Sequence, residues 1–272
     1  ISWRVTRLAG DFLIERSSDA STSCKSGAKS GDNSQRTPFC SSRITAPTLG
    51  EHFQAVNCRA VRHAARVVVI AKHRAVVERL KLAQLADVKS FSGDLVKDHR
   101  GRRDIFRIRT TGDSGRELVL FLKRNWKPYK KDGLASLIKR GKVWSISRQE
   151  WEHSLALQRA GLNTAALVAY GEECGLLWEK FSFILTEAAT GGQTAQDFLM
   201  QCHDGKLRRR VFDELARTIR KMHDAGLASP DLFTRHLFVD AAATPPAFCY
   251  IDMARLDFSK PLADRMRARD LA

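Results

Sequence analysis

Two acidic residues stand out in a chain whose 46 lysines and arginines outnumber its 30 aspartates and glutamates. Asp231 lies in "ASPDLFTRHLFVD" and Asp252 in "CYIDMARLDF", each at the edge of an apolar, strand-like run. A carboxylate beside buried strand residues loses hydration, so it needs a metal ion, an arginine or a proton as partner. The two aspartates therefore mark a site, and the elements around them decide its kind.

From about residue 88 the pattern is regular. "VKSFSGDLVKD", "DIFRIRTT" and "ELVLFLKRN" are apolar or alternating runs separated by the turn-like "HRGRR" and "GDSGR", which predicts an antiparallel three-strand meander. "SRQEWEHSLALQRAG" predicts a helix with Trp151, Leu155 and Leu157 as its apolar residues, Gly161 as its stop, and Ser147 with Glu150 as an S-x-x-E capping box. "NTAALVAYGEECG" and "LLWEKFSFILTEAA" add two strands. "TAQDFLMQC" and "KLRRRVFDELARTIRKMHDAG" add helices, the second with Val211, Phe212, Leu215, Ile219 and Met222 on one face. The expected fold is α+β, with a five-stranded antiparallel lobe carrying one inserted helix over 88–190 and a mainly helical lobe over 191–272.

The part before it differs in composition. Residues 17–49 are rich in Ser, Thr, Gly and Lys and cannot bury enough apolar surface to offset ordering entropy, so 1–50 is expected to be disordered. Over 51–87, Arg and His mix with apolar residues at loosely helical spacing, which predicts a basic helical segment. The net charge of +16 favours an anionic partner: phosphate, a lipid surface or nucleic acid. Six scattered cysteines without a C-x-x-C pair argue against a zinc ribbon or a disulfide framework and fit a reducing cytoplasmic setting. No apolar run reaches the roughly 18 residues a membrane span needs, which leaves peripheral attachment open.

The local wording of these elements resembles the lipopolysaccharide kinase (Kdo/WaaP) family, a branch of the protein-kinase-like superfamily. "VLFLKR" is similar to its third-strand lysine segment, "QEWEHSLALQRAGLNTAALVAYGE" to its E-W…V-A-Y-G-E segment, and "FSFILTEAATG" to its hinge. "MHDAGLASPDLFTRHLFVD" resembles its catalytic loop, "YIDMARLDF" its metal segment, and "RMRARDLA" its R-x-x-K-D-L-A stretch. The resemblance covers 88–272 and implies a bilobal kinase fold that uses ATP and Mg²⁺.

The resemblance implies a role for each matched residue. Lys123 reaches the α/β-phosphates and Glu150 holds it there, with Glu152 as rival on the same helix; Glu187 belongs to the nucleotide-binding hinge. Asp231 orients the acceptor hydroxyl and takes its proton, while Asp252 ligates Mg²⁺, with His236 a second ligand or a packed structural histidine. The turn "VKDHRGRRD" has one glycine, Gly101, so phosphate contact there would lean on Lys97, neighbouring cations and backbone amides. The implied acceptor is a lipopolysaccharide inner-core sugar, a heptose or Kdo, at the cytoplasmic face of the inner membrane, with peripheral contact to its anionic surface.

Three departures motivate a second reading. Where the family reads H-R-D this chain reads Ser229-Pro230-Asp231; the tyrosine two residues after that aspartate is Phe233; and the sequence ends at Ala272, from which an incomplete helical lobe is expected. These features suit a pseudokinase that binds nucleotide or a partner without transfer. A third reading, a basic nucleic-acid binder, lacks aromatic-interleaved basic strands or a helix-turn-helix.

Overall fold

The computed structural model describes residues 2–8, 11–17, 65–113, 115–126, 136–138, 141–259 and 261–271. Its strands and helices, in chain order, begin with β1 (Ser2–Leu8), β2 (Asp11–Ser17), β3 (Ala65–Ile70), α1 (Arg74–Arg79) and α2 (Leu85–Ser90). The expected meander follows as β4 (Asp94–Asp98), β5 (Arg103–Thr111) and β6 (Glu117–Asn125), then α3 (Ile146–Arg159), β7 (Asn163–Thr164), β8 (Leu167–Cys174) and β9 (Glu179–Glu187). Beyond them lie β10 (Gln193–Thr194), α4 (Ala195–Gln201), α5 (Gly205–Asp224), β11 (Leu227–Ala228), β12 (Leu237–Asp240), β13 (Ala247–Tyr250), β14 (Asp257–Phe258) and α6 (Asp264–Leu271).

The five strands of the meander and the β8–β9 pair form one antiparallel sheet, and β3, β2 and β1 extend it beyond β8 in the order β1-β2-β3-β8-β9-β6-β5-β4. Two expectations change here. Within 1–50, Ser2–Leu8 and Asp11–Ser17 are paired strands, and residues 18–64 lie outside the described residues. Within 51–87, Ala65–Ile70 is a strand and not part of a basic helix. Its Val67-Val68-Val69-Ile70 run is buried on both faces and hydrogen-bonded between β2 and β8, where β-branched residues pack well.

The sheet separates two cores. On one face Leu120, Leu122, Phe183 and Leu185 pack with Val76, Val77 and Val88 of α1 and α2. On the other, Trp151 of α3 packs on Val68, Ile70, Tyr170 and Ile184. The register sorts side chains between these faces, since directly paired residues share a side. Ile105, Lys123, Ile184, Tyr170 and Val68 form one cross-strand row, and Arg103, Asn125 and Ser182 form the next row on that face. Both rows look toward α3.

A third core holds the helical part. Val211, Leu215, Ile219 and Met222 of α5 meet Leu157 of α3, Leu237, Val239 and Tyr250. Phe212, expected on the same stripe, is exposed, because spacings of four and three from Val211 carry the buried face past it. Two small pairings then fix the aspartate loops. β12 pairs β13, and β11 pairs β14, so segments 229–236 and 251–256 run side by side between them.

Candidate active site

α3 determines where Glu150 points. Its first turn is capped by Ser145, whose Oγ accepts from Arg148 N at 3.0 Å. The expected Ser147–Glu150 capping box is absent: Ser147 sits inside the helix, bonded through its hydroxyl to Asn125 Nδ2 (3.0 Å) and Ser182 Oγ (2.8 Å). That frees Glu150 for another partner. Two buried carboxylates of the sheet hold the helix end in addition. Glu172 accepts from Ser145 Oγ at 2.7 Å, and Glu179 accepts from Ile146 N at 2.9 Å. Glu172 is itself neutralised by Arg66 of β3 at 2.7 Å and Arg148 at 3.5 Å.

From this position Glu150 Oε1 accepts from Lys123 Nζ at 2.7 Å, and the same ammonium donates to Asp252 Oδ1 at 3.0 Å. Glu150, not Glu152, is the partner of Lys123. Arg103 Nη2 reaches the same Asp252 oxygen at 3.0 Å. Burial alone would raise the Asp252 carboxyl, but Lys123 and Arg103 outweigh it and hold Asp252 well below the usual carboxylate range. Asp252 adopts a left-handed backbone, φ 55°, which is uncommon for a non-glycine residue and recurs where function demands an unusual side-chain direction. The next residue, Met253, is fully buried, and its carbonyl meets His153 Nδ1 of α3 at 2.9 Å. One helix therefore fixes both the Lys123 partner and the Asp252 segment.

Asp231 lies on the neighbouring loop. Ser229 anchors this loop at the position where the arginine-containing triplet was expected. Its amide donates to the buried Asp270 Oδ2 of α6 at 2.9 Å, and its hydroxyl donates to Arg255 O at 2.8 Å and accepts from Asp231 N at 3.2 Å. His223 Nε2 meets the same Asp270 oxygen at 3.2 Å. His236 Nδ1 bonds the Asp231 carbonyl at 2.9 Å, and its own carbonyl accepts from Ile251 N at 2.9 Å, beside Asp252 in the chain. The histidine is thus built into the loop through Nδ1.

The other expected site residues fall elsewhere. Lys97 is exposed on the edge strand β4, paired with Ile105 and so in the cross-strand row of Lys123. The β4–β5 hairpin turns through residues 100–102, with Arg100 and Gly101 both at positive φ, and the Gly101 amide donates to Asp98 Oδ1 at 2.9 Å. From this hairpin it is Arg103 that reaches the cluster. Glu187 shares the face of Leu185, opposite Lys123, and its Oε1 lies 3.3 Å from His73 Nε2 beside a cavity of about 540 Å³. Its side chain is therefore not part of the Lys123–Asp252 cluster.

The donor set fits a nucleotide phosphate and Mg²⁺. Two cations converge on one carboxylate oxygen, and Arg103 Nε is buried without a hydrogen-bond partner among the described residues. Such surplus donors suit an anion with several oxygens. No cluster of three or more His, Cys, Asp or Glu side chains occurs among the described residues. Mg²⁺ needs none, since one or two carboxylates, waters and substrate phosphates complete its shell.

Residues 86–272 match the model of the lipopolysaccharide kinase (Kdo/WaaP) family. The lipopolysaccharide core heptose(I) kinase WaaP of Pseudomonas aeruginosa is 31% identical over 134 residues, 46% of this chain and 50% of that protein. The protein of the same description from Escherichia coli K12 is 24% identical over 194 residues, 68% of this chain and 71% of that one. The chain thus aligns with about half the length of the first relative. A solved structure described as WaaP in complex with acyl carrier protein superimposes with a TM-score of 0.51 at 21% identity, over 73% of this chain and 76% of that chain. The bilobal kinase-like fold follows from that likeness, and the chain belongs to the lipopolysaccharide kinase (Kdo/WaaP) family.

Proposed function

We propose that the chain is an ATP- and Mg²⁺-dependent kinase that phosphorylates a hydroxyl of a lipopolysaccharide inner-core sugar, a heptose or Kdo. The observation that carries this reading is Lys123, held between Glu150 at 2.7 Å and Asp252 at 3.0 Å, with Asp231 on the adjacent loop. Phosphoryl transfer asks little covalent chemistry of a protein; it asks for rigid phosphates, neutralised charge and a hydroxyl in line. Lys123 and Arg103 supply charge to the phosphates, Asp252 with His236 would hold Mg²⁺, and the metal would neutralise charge developing on the phosphate oxygens. Asp231 takes the proton of the acceptor hydroxyl as its oxygen bonds to the γ-phosphorus and the bond to ADP breaks.

The Ser229-Pro230 substitution fits this reading. Ser229 makes three hydrogen bonds that fix the loop, so the backbone around Asp231 is anchored without the missing arginine. Among the described residues no helix is long and apolar enough to cross a membrane. A net charge of +16 supports approach to a polyanionic glycolipid at the cytoplasmic face of the inner membrane.

The test is incubation of the protein with Mg²⁺, ATP and phosphatase-treated lipopolysaccharide core, followed by mass spectrometry. Gain of phosphate on a core sugar is the expected result. Nucleotide binding without gain would move the assignment to a pseudokinase, and a folded protein that binds no nucleotide would remove both.

A further inference from the structure

Asp231, the residue expected to take the acceptor's proton, already has both carboxylate oxygens engaged. Arg255 Nε donates to Oδ2 at 2.6 Å, and Arg255 Nη2 donates to Oδ1. The pair is lopsided in exposure: the Arg255 side chain is 68% accessible and that of Asp231 17%. The guanidinium therefore lies over a recessed carboxylate.

The fork takes one lone pair on each Asp231 oxygen and covers part of the carboxylate, so an acceptor hydroxyl has fuller access to Asp231 once an arm moves aside. A guanidinium moved from its carboxylate can take another anion in its place, and its planar fork matches a carboxylate or a phosphate. Arg235, exposed on the same loop and stacked 4.2 Å from the Phe233 ring centroid, adds positive charge to this face.

Building on the kinase reading, we propose that Arg255 determines acceptor specificity by exchanging Asp231 for an anionic group of the acceptor. The substrate is then a sugar bearing a carboxylate or phosphate within reach of the reacting hydroxyl. Binding such an acceptor and freeing Asp231 become one event. A neutral sugar must break the ion pair without replacing it.

The experiment measures affinity by calorimetry, with Mg²⁺ and a non-hydrolysable ATP analogue present. Four preparations of lipopolysaccharide core oligosaccharide serve as probes: untreated, phosphatase-treated, carboxyl-reduced, and both. Wild type should lose on the order of tenfold in affinity when the anion read by Arg255 is removed, which also tells carboxylate from phosphate. Arg255→Gln should lose that discrimination and Arg255→Lys keep part of it; the surface position of this side chain leaves folding intact. General attraction to the basic protein is common to all variants and cancels in the ratio. Equal loss in wild type and Arg255→Gln, or no discrimination by wild type, overturns the proposal and leaves the arginine to another task, such as the γ-phosphate.

Transfer from ATP on the same samples reports the kinase reading separately. Discrimination lost in Arg255→Gln without any transfer keeps the arginine assignment and removes the kinase. Transfer with unchanged discrimination does the reverse.

Discussion

Lys123 Nζ lies 3.0 Å from Asp252 Oδ1, and Arg103 Nη2 lies 3.0 Å from the same oxygen. The cations expected to receive phosphate are thus held by the carboxylate expected to receive the metal. On the kinase reading, nucleotide and metal should favour each other's binding, because the metal would take over Asp252 as the phosphates take over Lys123 and Arg103.

Asp252→Asn breaks this exchange. Nucleotide in EDTA should bind the variant more tightly than wild type, by about tenfold, because two cations lose their competing partner. The increase in affinity that Mg²⁺ gives wild type should disappear. Calorimetric titration with and without Mg²⁺ checks both effects.

The same residue sets a pH signature. The Asp252 carboxyl is held well below the usual range by Lys123 and Arg103 against the opposing effect of burial. A depressed folded-state pKa adds stability that is complete above the unfolded value, about 3.9, and is lost as pH falls toward the folded value. The difference in unfolding free energy between wild type and Asp252→Asn should therefore be flat from about pH 5 to 8 and change only below about pH 4. Urea titrations across that range read it directly.

Glu172 acts at a distance from the chemistry. It neutralises Arg66 and Arg148 and bonds Ser145, the cap of the helix that carries Glu150. Glu172→Gln leaves two arginines facing a neutral amide, and breaking such a buried pair costs about 3 kcal/mol. Thermal unfolding should show the loss, and kcat should fall with the ATP KM raised as Glu150 loses its fixed position.

Gly171 of β8 has no room for a methyl group. A Cβ there would lie 2.4 Å from Phe183 Cε1 and 2.9 Å from Leu85 Cδ2, between the sheet and α2. Gly171→Ala should destabilise the fold by about 1–3 kcal/mol through overpacking, measured by urea unfolding.

The strands of the meander, the helix α3 and the order Lys123, Glu150, Asp231, Asp252 were legible because each rests on a local period or a short motif. Val67–Ile70 was not, since four consecutive buried apolar residues have no period to separate strand from helix. The cap was misplaced by two residues because Ser145 and Ser147 offer the same hydroxyl, and only the Asn125–Ser147–Ser182 contacts distinguish them. Arg103, His153, Arg255 and Asp270 escaped as site residues although all lie in stretches whose composition or wording drew notice. Arg103 was one cation among several in a basic turn, and its pairing with Asp252 spans 149 residues. Arg255 sits in the metal segment and Asp270 in the terminal stretch, but only the pairing of β11 with β14 and the docking of α6 bring them to the Asp231 loop. The face of the Glu187 side chain, opposite Lys123, was not legible, because register and not motif decides it.

The central claim is tested most directly by single-turnover transfer from Mg²⁺-ATP to lipopolysaccharide core with wild type and Asp231→Asn, alongside nucleotide affinity for each. The account predicts unchanged nucleotide affinity and a transfer rate lowered by about 10²–10⁴ in the variant, the loss of a positioned proton acceptor. Equal transfer rates in the two proteins would contradict it.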